Sequence, residues 1–396
     1  MLDAYGWEIY KKYPILSNFL SASRLESVFG YTSACLPSIL SGRYPQETLN
    51  WCYFYADAEH SPFRELEPLK YLPDCVTSRR KFRILLSRVV KKKLGLEGYF
   101  DLYNIPLKSI GEWDFSEKRS PLKPGGMNQG RSIIDELRES GIRYFISDPE
   151  ASEFSNFENL RSSIRGRQLD FAFCYWPGLD GLMHVVGNSH PDIKTRMTSY
   201  ERWILELMDE AYKAGYKPVV HVFSDHGMAN LKGTIHPDTL LEPIKKQGPV
   251  LSVVDSTMMR LYFRSNDSAQ RKSTEDFLNT NPYGRVIGDA ELQRLGTFFP
   301  DYKFGETIFL LDEGYQFEPS DMGTRAMKGM HGYHPSEKQS YATLLSSDPA
   351  EGTSIKSIVD IYTLMSDSLD QIELSQVAVA FSQDHHCANT SAHMAQ

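Results

Sequence analysis

Apolar positions along this chain alternate between two spacings. From Ser132 to Gly141, residues Ile133, Ile134 and Leu137 recur at helical intervals, Gly141 offers a stop, and RYFISD follows as a strand. LDFAFCYW (169–176) is too continuously apolar for a half-exposed strand and reads as a central strand of a parallel sheet. Thr198 to Tyr212 returns to the helical period. Gly215 and Pro218 then lead into a second buried strand, VVHVFSD (219–225). Strand, helix and strand in that order predict a βαβ unit. LESVFG (25–30) gives a further strand, and Ser354 to Leu369 a further amphipathic helix. The fold class expected is α/β.

Two stretches break this rhythm. Residues 46–128 are rich in aromatics, prolines and charge, and residues 235–325 carry short strands such as RLYFR and TIFLL. Both read as insertions over one edge of the sheet, where ligand-contacting segments usually lie. The expected organisation is one domain over 1–380 with a flexible tail at 381–396. Within the first insertion, RRKFRILLSRVVKKK (79–93) spaces Phe82, Leu85, Leu86, Val89 and Val90 as a helix does, with Arg or Lys at most other places. It is expected to be a cap helix with a solvated basic face. A membrane-surface helix and a clamp for an anionic substrate are the sharper alternatives.

Composition narrows the function. The formal net charge of −8 argues against a protein whose main work is coating nucleic acid. Cys35, Cys52, Cys75, Cys174 and Cys387 are scattered and odd in number, without CxxC spacing, so neither a disulfide framework nor a cysteine zinc site is suggested. The first residues, MLDAYGWEIYKKYP, lack the order of a signal peptide, and no stretch approaches a membrane span. A soluble, cytoplasmic protein is the expectation.

Acidic and histidine residues gather where strands end, the edge at which open α/β sheets bind ligands. Asp180 and His184 follow the first buried strand, and Asp225 and His226 end the second. A lone buried histidine near a strand end is ordinarily a hydrogen-bonded structural residue. Two Asp/His pairs on consecutive strands, joined by His331 in a third His-Gly element, point instead to a metal centre of carboxylate oxygen and imidazole nitrogen. Such a set suits zinc, manganese or iron better than calcium. GYTSACLPSILSGRYP (30–45) supplies a hydroxyl: Thr32 enters what reads as a helix N-terminus, whose field favours an alkoxide. Taken alone, Thr32 or Ser33 would read as an N-cap.

Together these segments resemble the type I phosphodiesterase/nucleotide pyrophosphatase family of the alkaline phosphatase superfamily. The resemblance rests on Asp3 in LDAYGW, Thr32 ahead of Ser41-Gly42-Arg43-Tyr44-Pro45, Asp180/His184 in D-x-x-x-H, Asp225/His226 in SDHGM, and His331 in GMHGYHP. It implies an alkaline-phosphatase-like three-layer sandwich with a mostly parallel central sheet and cap insertions. It also implies two divalent ions, most often Zn²⁺ with Mn²⁺ or Fe as alternatives. Asp180, His184 and His331 would hold one ion; Asp3, Thr32, Asp225 and His226 the other. Two ions about 4 Å apart stabilise the attacking and leaving oxygens of an in-line displacement at phosphorus. Thr32 would be the nucleophile, through a phosphothreonine intermediate that water hydrolyses. The implied substrate is a small phosphodiester or phosphoanhydride, not a nucleic-acid polymer.

The chain departs from that pattern in three places. Only Met1 and Leu2 precede Asp3, where the family has a full strand. Ser33 stands where nucleotide-cleaving members carry an aromatic residue. The family's phosphate-binding Asn would fall at Tyr53 by strict counting, which makes Asn50 the candidate for that role. Thr32 replaces the formylglycine-forming cysteine of sulfatases, and Cys35 lies three positions too late to serve. A phosphomonoesterase, phosphonate hydrolase or phosphotransferase on the same core is the runner-up. A catalytically silent binding protein is the remaining class. Among the other histidines, His221 is read as strand packing, His334 as support for His331, and His236 as a loop residue.

Overall fold

The computed structural model describes residues 1–77, 79–264, 268–348 and 355–374. The expected tail 381–396, with Cys387, and Ser354 at the start of the last expected helix lie outside these residues.

The central sheet is assembled around the first three residues. Tyr144–Ile146 and Phe171–Phe173 pair in parallel, and Leu2 forms a parallel bridge with Trp176. The Asp3 N–H donates to the Trp176 carbonyl at 3.1 Å, and the Leu2 N–H to the Phe223 carbonyl at 2.8 Å. Residues 1–3 are thus wedged between the two strands of the βαβ unit, as a single bridge in place of a full strand. Beyond them, His221–Phe223 pairs with Ala342–Ser346, which pairs with Ser21–Leu25, both antiparallel. The 342–346 strand therefore runs against both its neighbours.

Adjacent residues of these strands face opposite ways, and the packing follows. Phe173, Phe223 and Leu344 join one core with helices Thr32–Ser41 and Ile133–Ser140. Val222 and Leu345 join another with Leu179 and Met183 of helix Gly178–Val186 and with Ile193, Met197 and Tyr200 of helix Pro191–Lys213. Helices, sheet and helices make the three layers expected.

Local chemistry explains where elements differ from expectation. Helix Pro191–Lys213 begins earlier than Thr198 because the His190 side chain accepts from the Asp192 N–H and Pro191 occupies the first turn. The strand read at 25–30 lies at Ser21–Leu25. After Glu26 the chain turns beneath the site, where the Ser27 hydroxyl donates to the Asp225 carbonyl at 2.7 Å. The last helix starts as a turn at Ile358–Asp360, capped by Ser357, and continues over 361–374.

The stretches 46–128 and 235–325 meet each other. The second carries a four-stranded antiparallel sheet in the order Gly284–Ile287, Thr307–Leu311, Met258–Phe263, Val250–Val254. Its Arg260 is fully buried, paired with Asp255 at 2.8 Å, and donates to the carbonyls of Phe304 and, at 2.7 Å, of Phe54 in the first insertion. Helix Arg80–Lys93 lays Phe82, Leu86 and Val90 on the aromatic cluster of Phe54, Phe63, Phe100 and Phe115. Among the described residues no helix is long and apolar enough to cross a membrane.

Candidate active site

Each side chain of the site is delivered by the end of an element. Asp3 ends the wedged segment, and Asp225 and His226 come two and three residues after strand His221–Phe223. Asp180 sits in the first turn of helix Gly178–Val186, with His184 one turn on. Gly329–Met330 pairs antiparallel with Ala229–Asn230 and so returns His331 to His226. The two imidazole rings stack 3.8 Å apart at 12°.

Two glycines allow this closeness. A Cβ on Gly227 would lie 2.2 Å from the Gln339 carbonyl oxygen. Gly332 adopts φ +85°, and a Cβ there would lie 2.4 Å from the ring of Tyr31, the residue before Thr32.

Thr32 is the first residue of its helix, and Tyr31 is the N-cap. The hydroxyl is therefore not spent on capping; it lies 3.1 Å from His226 Nε2. The same nitrogen is 3.2 Å from Asp225 Oδ2 and 3.6 Å from Asp3 Oδ1. Asp180 Oδ2 is 3.2 Å from His184 Nε2, and its Oδ1 is 3.5 Å from His331 Nε2. Potential ligand atoms of Asp3, Asp225 and His226 lie within 4.8 Å of one another, as do those of Asp180, His226 and His331. His226 belongs to both groups, and His184 joins through Asp180.

The cluster has the ligand atoms that could hold a cation. Asp3 Oδ1, Asp180 Oδ1, Asp225 Oδ2 and His331 Nδ1 are buried without a hydrogen-bond partner. Leaving several carboxylate oxygens so placed is costly unless positive charge joins them. Burial, with Asp225 and Asp180 nearby, holds the Asp3 carboxyl well above the usual range. Burial also pushes Asp180 up, but His184, His331 and His226 outweigh it and hold that carboxyl low. Burial, aided by His226 and His184, keeps His331 well below the ordinary imidazole value and hence neutral. Nδ1 of His184 donates to the Gly329 carbonyl (2.9 Å) and Nδ1 of His226 to that of Gly227 (3.0 Å), which turns each Nε2 toward the carboxylates of the cluster.

The remaining candidates stand apart. Asn50 is buried, and its Oδ1 accepts from the Asn128 N–H at 3.1 Å, which leaves the Nδ2 end as its donor. The Ser33 hydroxyl donates to the Trp51 carbonyl at 2.8 Å. His334 does not serve as the expected support for His331: its Nε2 is 3.1 Å from Glu291, and its Nδ1 meets the Ser336 hydroxyl. Sequence reasoning missed Tyr175, whose hydroxyl donates to Asp3 Oδ2 at 2.5 Å. Its place near the end of the run 169–176, at the ligand-binding edge, was the available signal.

The profile of the type I phosphodiesterase / nucleotide pyrophosphatase family matches residues 13–334. The chain belongs to that family. As a member it is a hydrolase of the phosphodiesterase/pyrophosphatase kind. No curated protein matches by sequence. Among solved structures, murine ectonucleotide pyrophosphatase/phosphodiesterase 5 superposes with a TM-score of 0.64 at 14% identity, covering 93% of each chain. An inactive variant of that murine protein, in complex with AMP, gives 0.63 at 14% identity with the same coverage. The human counterpart gives 0.62 at 12% identity, over 93% of this chain and 94% of that one. At such identities the likeness establishes the fold alone, which is alkaline-phosphatase-like α/β.

Proposed function

We propose that this family member cleaves a phosphodiester or phosphoanhydride bond in a small nucleotide-like substrate, with Thr32 as nucleophile and divalent cations at the Asp/His cluster. The observation that carries the reading is the Thr32 hydroxyl, 3.1 Å from His226 Nε2 and beside buried carboxylate oxygens that have no partner. Asp3, Asp225 and His226 would hold one ion and Asp180, His184 and His331 another, with His226 close to both. Zn²⁺, Mn²⁺ or Fe fits this mixed oxygen and nitrogen set. When bound, the ions would supply charge to stabilise the oxygens around phosphorus and ease ionisation of a hydroxyl.

The protein's own part is placement. Thr32 Oγ1 attacks phosphorus as the bond to the leaving oxygen breaks; the threonine proton passes to solvent and the leaving group ends protonated. Water then cleaves the phosphothreonine and restores the hydroxyl. The AMP complex of the murine variant supports a nucleoside phosphate as substrate. Ser33, turned to the Trp51 carbonyl, gives a base no aromatic face at that position, which favours a looser demand on the leaving group. Rates on bis-p-nitrophenyl phosphate, p-nitrophenyl phosphate and a nucleoside p-nitrophenyl phosphate, before and after exhaustive chelation, test the proposal. Expected are diester preference, loss on chelation and recovery with Zn²⁺ or Mn²⁺. Preference for the monoester transfers the enzyme to the phosphomonoesterase reading, and full activity without metal sinks the cation role.

A further inference from the structure

Helix Arg80–Lys93 has an outer face that its packing does not use. The inner face is accounted for: Phe82, Leu86 and Val90 cover the aromatic cluster, and Arg83 is buried on the carbonyls of Thr77, Tyr103 and Ile105. Three cations are neutralised at the flanks, Arg80 by Asp101, Lys91 by Glu150 and Lys93 by Glu65. Lys81, Arg88 and Lys92 remain, exposed and without an ion pair among the described residues. Between them stand Leu85, 62% exposed, and Val89, 55% exposed.

These five residues follow each other at intervals of four, three, one and three. At 100° per residue they occupy an arc of roughly 100°, a single stripe along the helix. Arg88, Lys81 and Lys92 fill one side of that arc, and Leu85 and Val89 the other; a merely solvated face would gain nothing from two exposed aliphatic side chains beside its cations. No acidic residue interrupts the segment 79–93, which holds eight of the chain's 43 basic residues in a protein of net charge −8.

We propose that this stripe docks the enzyme on an anionic phospholipid surface, with Leu85 and Val89 entering the headgroup boundary and Lys81, Arg88 and Lys92 meeting lipid phosphates. A phosphodiester polymer would match the charge but gives the aliphatic pair no partner, whereas a bilayer matches both. The stripe is a convex ridge on one helix, and so suits a broad plane. Three cations and two short side chains make a weak, reversible attachment.

The test is flotation of the full chain with vesicles of phosphatidylcholine alone or with about 30 mol% phosphatidylserine, at about 0.05 M and 0.5 M salt. Leu85→Gln/Val89→Gln and Lys81→Gln/Arg88→Gln/Lys92→Gln are compared with the parent, and each, altered only at exposed positions, should keep its melting temperature and hydrolytic rate. Binding is expected on the anionic vesicles at low salt, falling at least roughly tenfold in either variant. Heparin serves as a soluble polyanion, and its binding should fall only in the charge variant. In Leu85→Trp, an added emission component should shift to the blue on anionic vesicles, which reads insertion directly. No vesicle binding by the parent overturns the proposal. So does vesicle binding indifferent to Leu85→Gln/Val89→Gln, or a loss of heparin binding in that variant matching the loss on vesicles. These readouts involve no catalysis, so their failure leaves the hydrolytic reading untouched.

Discussion

Thr32 and Ser33 are adjacent hydroxyls with different engagements, one toward His226 Nε2 and the other on the Trp51 carbonyl. Thr32→Ala should therefore lower kcat by at least about 10³-fold with bound metal largely retained, because the attacking oxygen is gone. Thr32→Ser should keep part of the rate, and Ser33→Ala should change it only a few-fold. Steady-state rates beside metal analysis check this, and an inert Ser33→Ala with a fully active Thr32→Ala would reverse the two roles. Away from the site, burial and neighbouring Asp255 push the Asp321 carboxyl up to about 7 against the pull of the Val254 N–H, Arg260 and Arg83. Its proton is held more tightly in the folded than in the unfolded chain, so its contribution to stability fades as pH rises from about 4 to about 7. Asp321→Asn keeps an oxygen for the Val254 N–H (2.8 Å in the parent) and stays neutral. Its melting temperature relative to the parent should gain ~2–4 °C between pH 5 and pH 8. At this scale the sequence was informative for the residues whose chemistry is bound to a motif: Asp180, Asp225, His226 and His331 all converge. It gave Tyr175 a place at the ligand-binding edge but not its partner, and gave nothing of the glutamate facing His334, since hydrogen bonds between residues far apart in the chain leave no local spacing to read.

Elements tell a similar story with a different cause. Helices with a cap and a stop, such as Ser132 with Ile133–Ser140 and Gly141, were legible nearly to the residue. Strands were overestimated: mostly apolar stretches of seven or eight residues contain ladders of only three, Phe171–Phe173 and His221–Phe223. The apolar run records burial, whereas a strand's length depends on where its neighbours end. How the stretches 46–128 and 235–325 attach to each other was also hidden, because contacts between distant residues do it, a buried charge pair among them. Arg260 links Asp255, Phe304 and Phe54, so Arg260→Met should destabilise the fold by about 3–5 kcal/mol by stranding Asp255, and adding Asp255→Leu should recover part of that. Denaturant midpoints of the single and double variants measure both effects. Equal stability of parent and single variant would remove the pair from any structural role.

For the whole molecule, the unpartnered oxygens of Asp3, Asp180 and Asp225 join the candidate site to the fold's stability. Cations bound there favour the native state by mass action. Chelation should thus lower the melting temperature by several degrees, ~5 °C or more, with Zn²⁺ or Mn²⁺ restoring it, and calorimetry of stripped and reloaded protein checks the expectation. A melting temperature unmoved by metal would leave the carboxylates to be neutralised by protons. The α/β class could be anticipated from the alternation of periods along the chain, and the three layers from the resemblance its motifs carry. The antiparallel 342–346 strand could not, since the pattern of side chains along one strand is the same whichever way its neighbour runs.

The wedge formed by residues 1–3 also has a consequence in time. Tyr175 reaches Asp3 across 172 residues, and Asp225 meets the Ala4 N–H across 221. Contacts so distant along the chain form slowly, because a large loop must close before they are rewarded. The whole span between them must be synthesised before Asp3 can find Asp225, and the segment at residues 1–3 must stay available until then. On refolding from denaturant, recovery of tight metal binding should lag behind recovery of helical signal, and amide protons of residues 2–4 should be among the last to gain protection. The centre assigned here to chemistry would then be the last part of the molecule to exist.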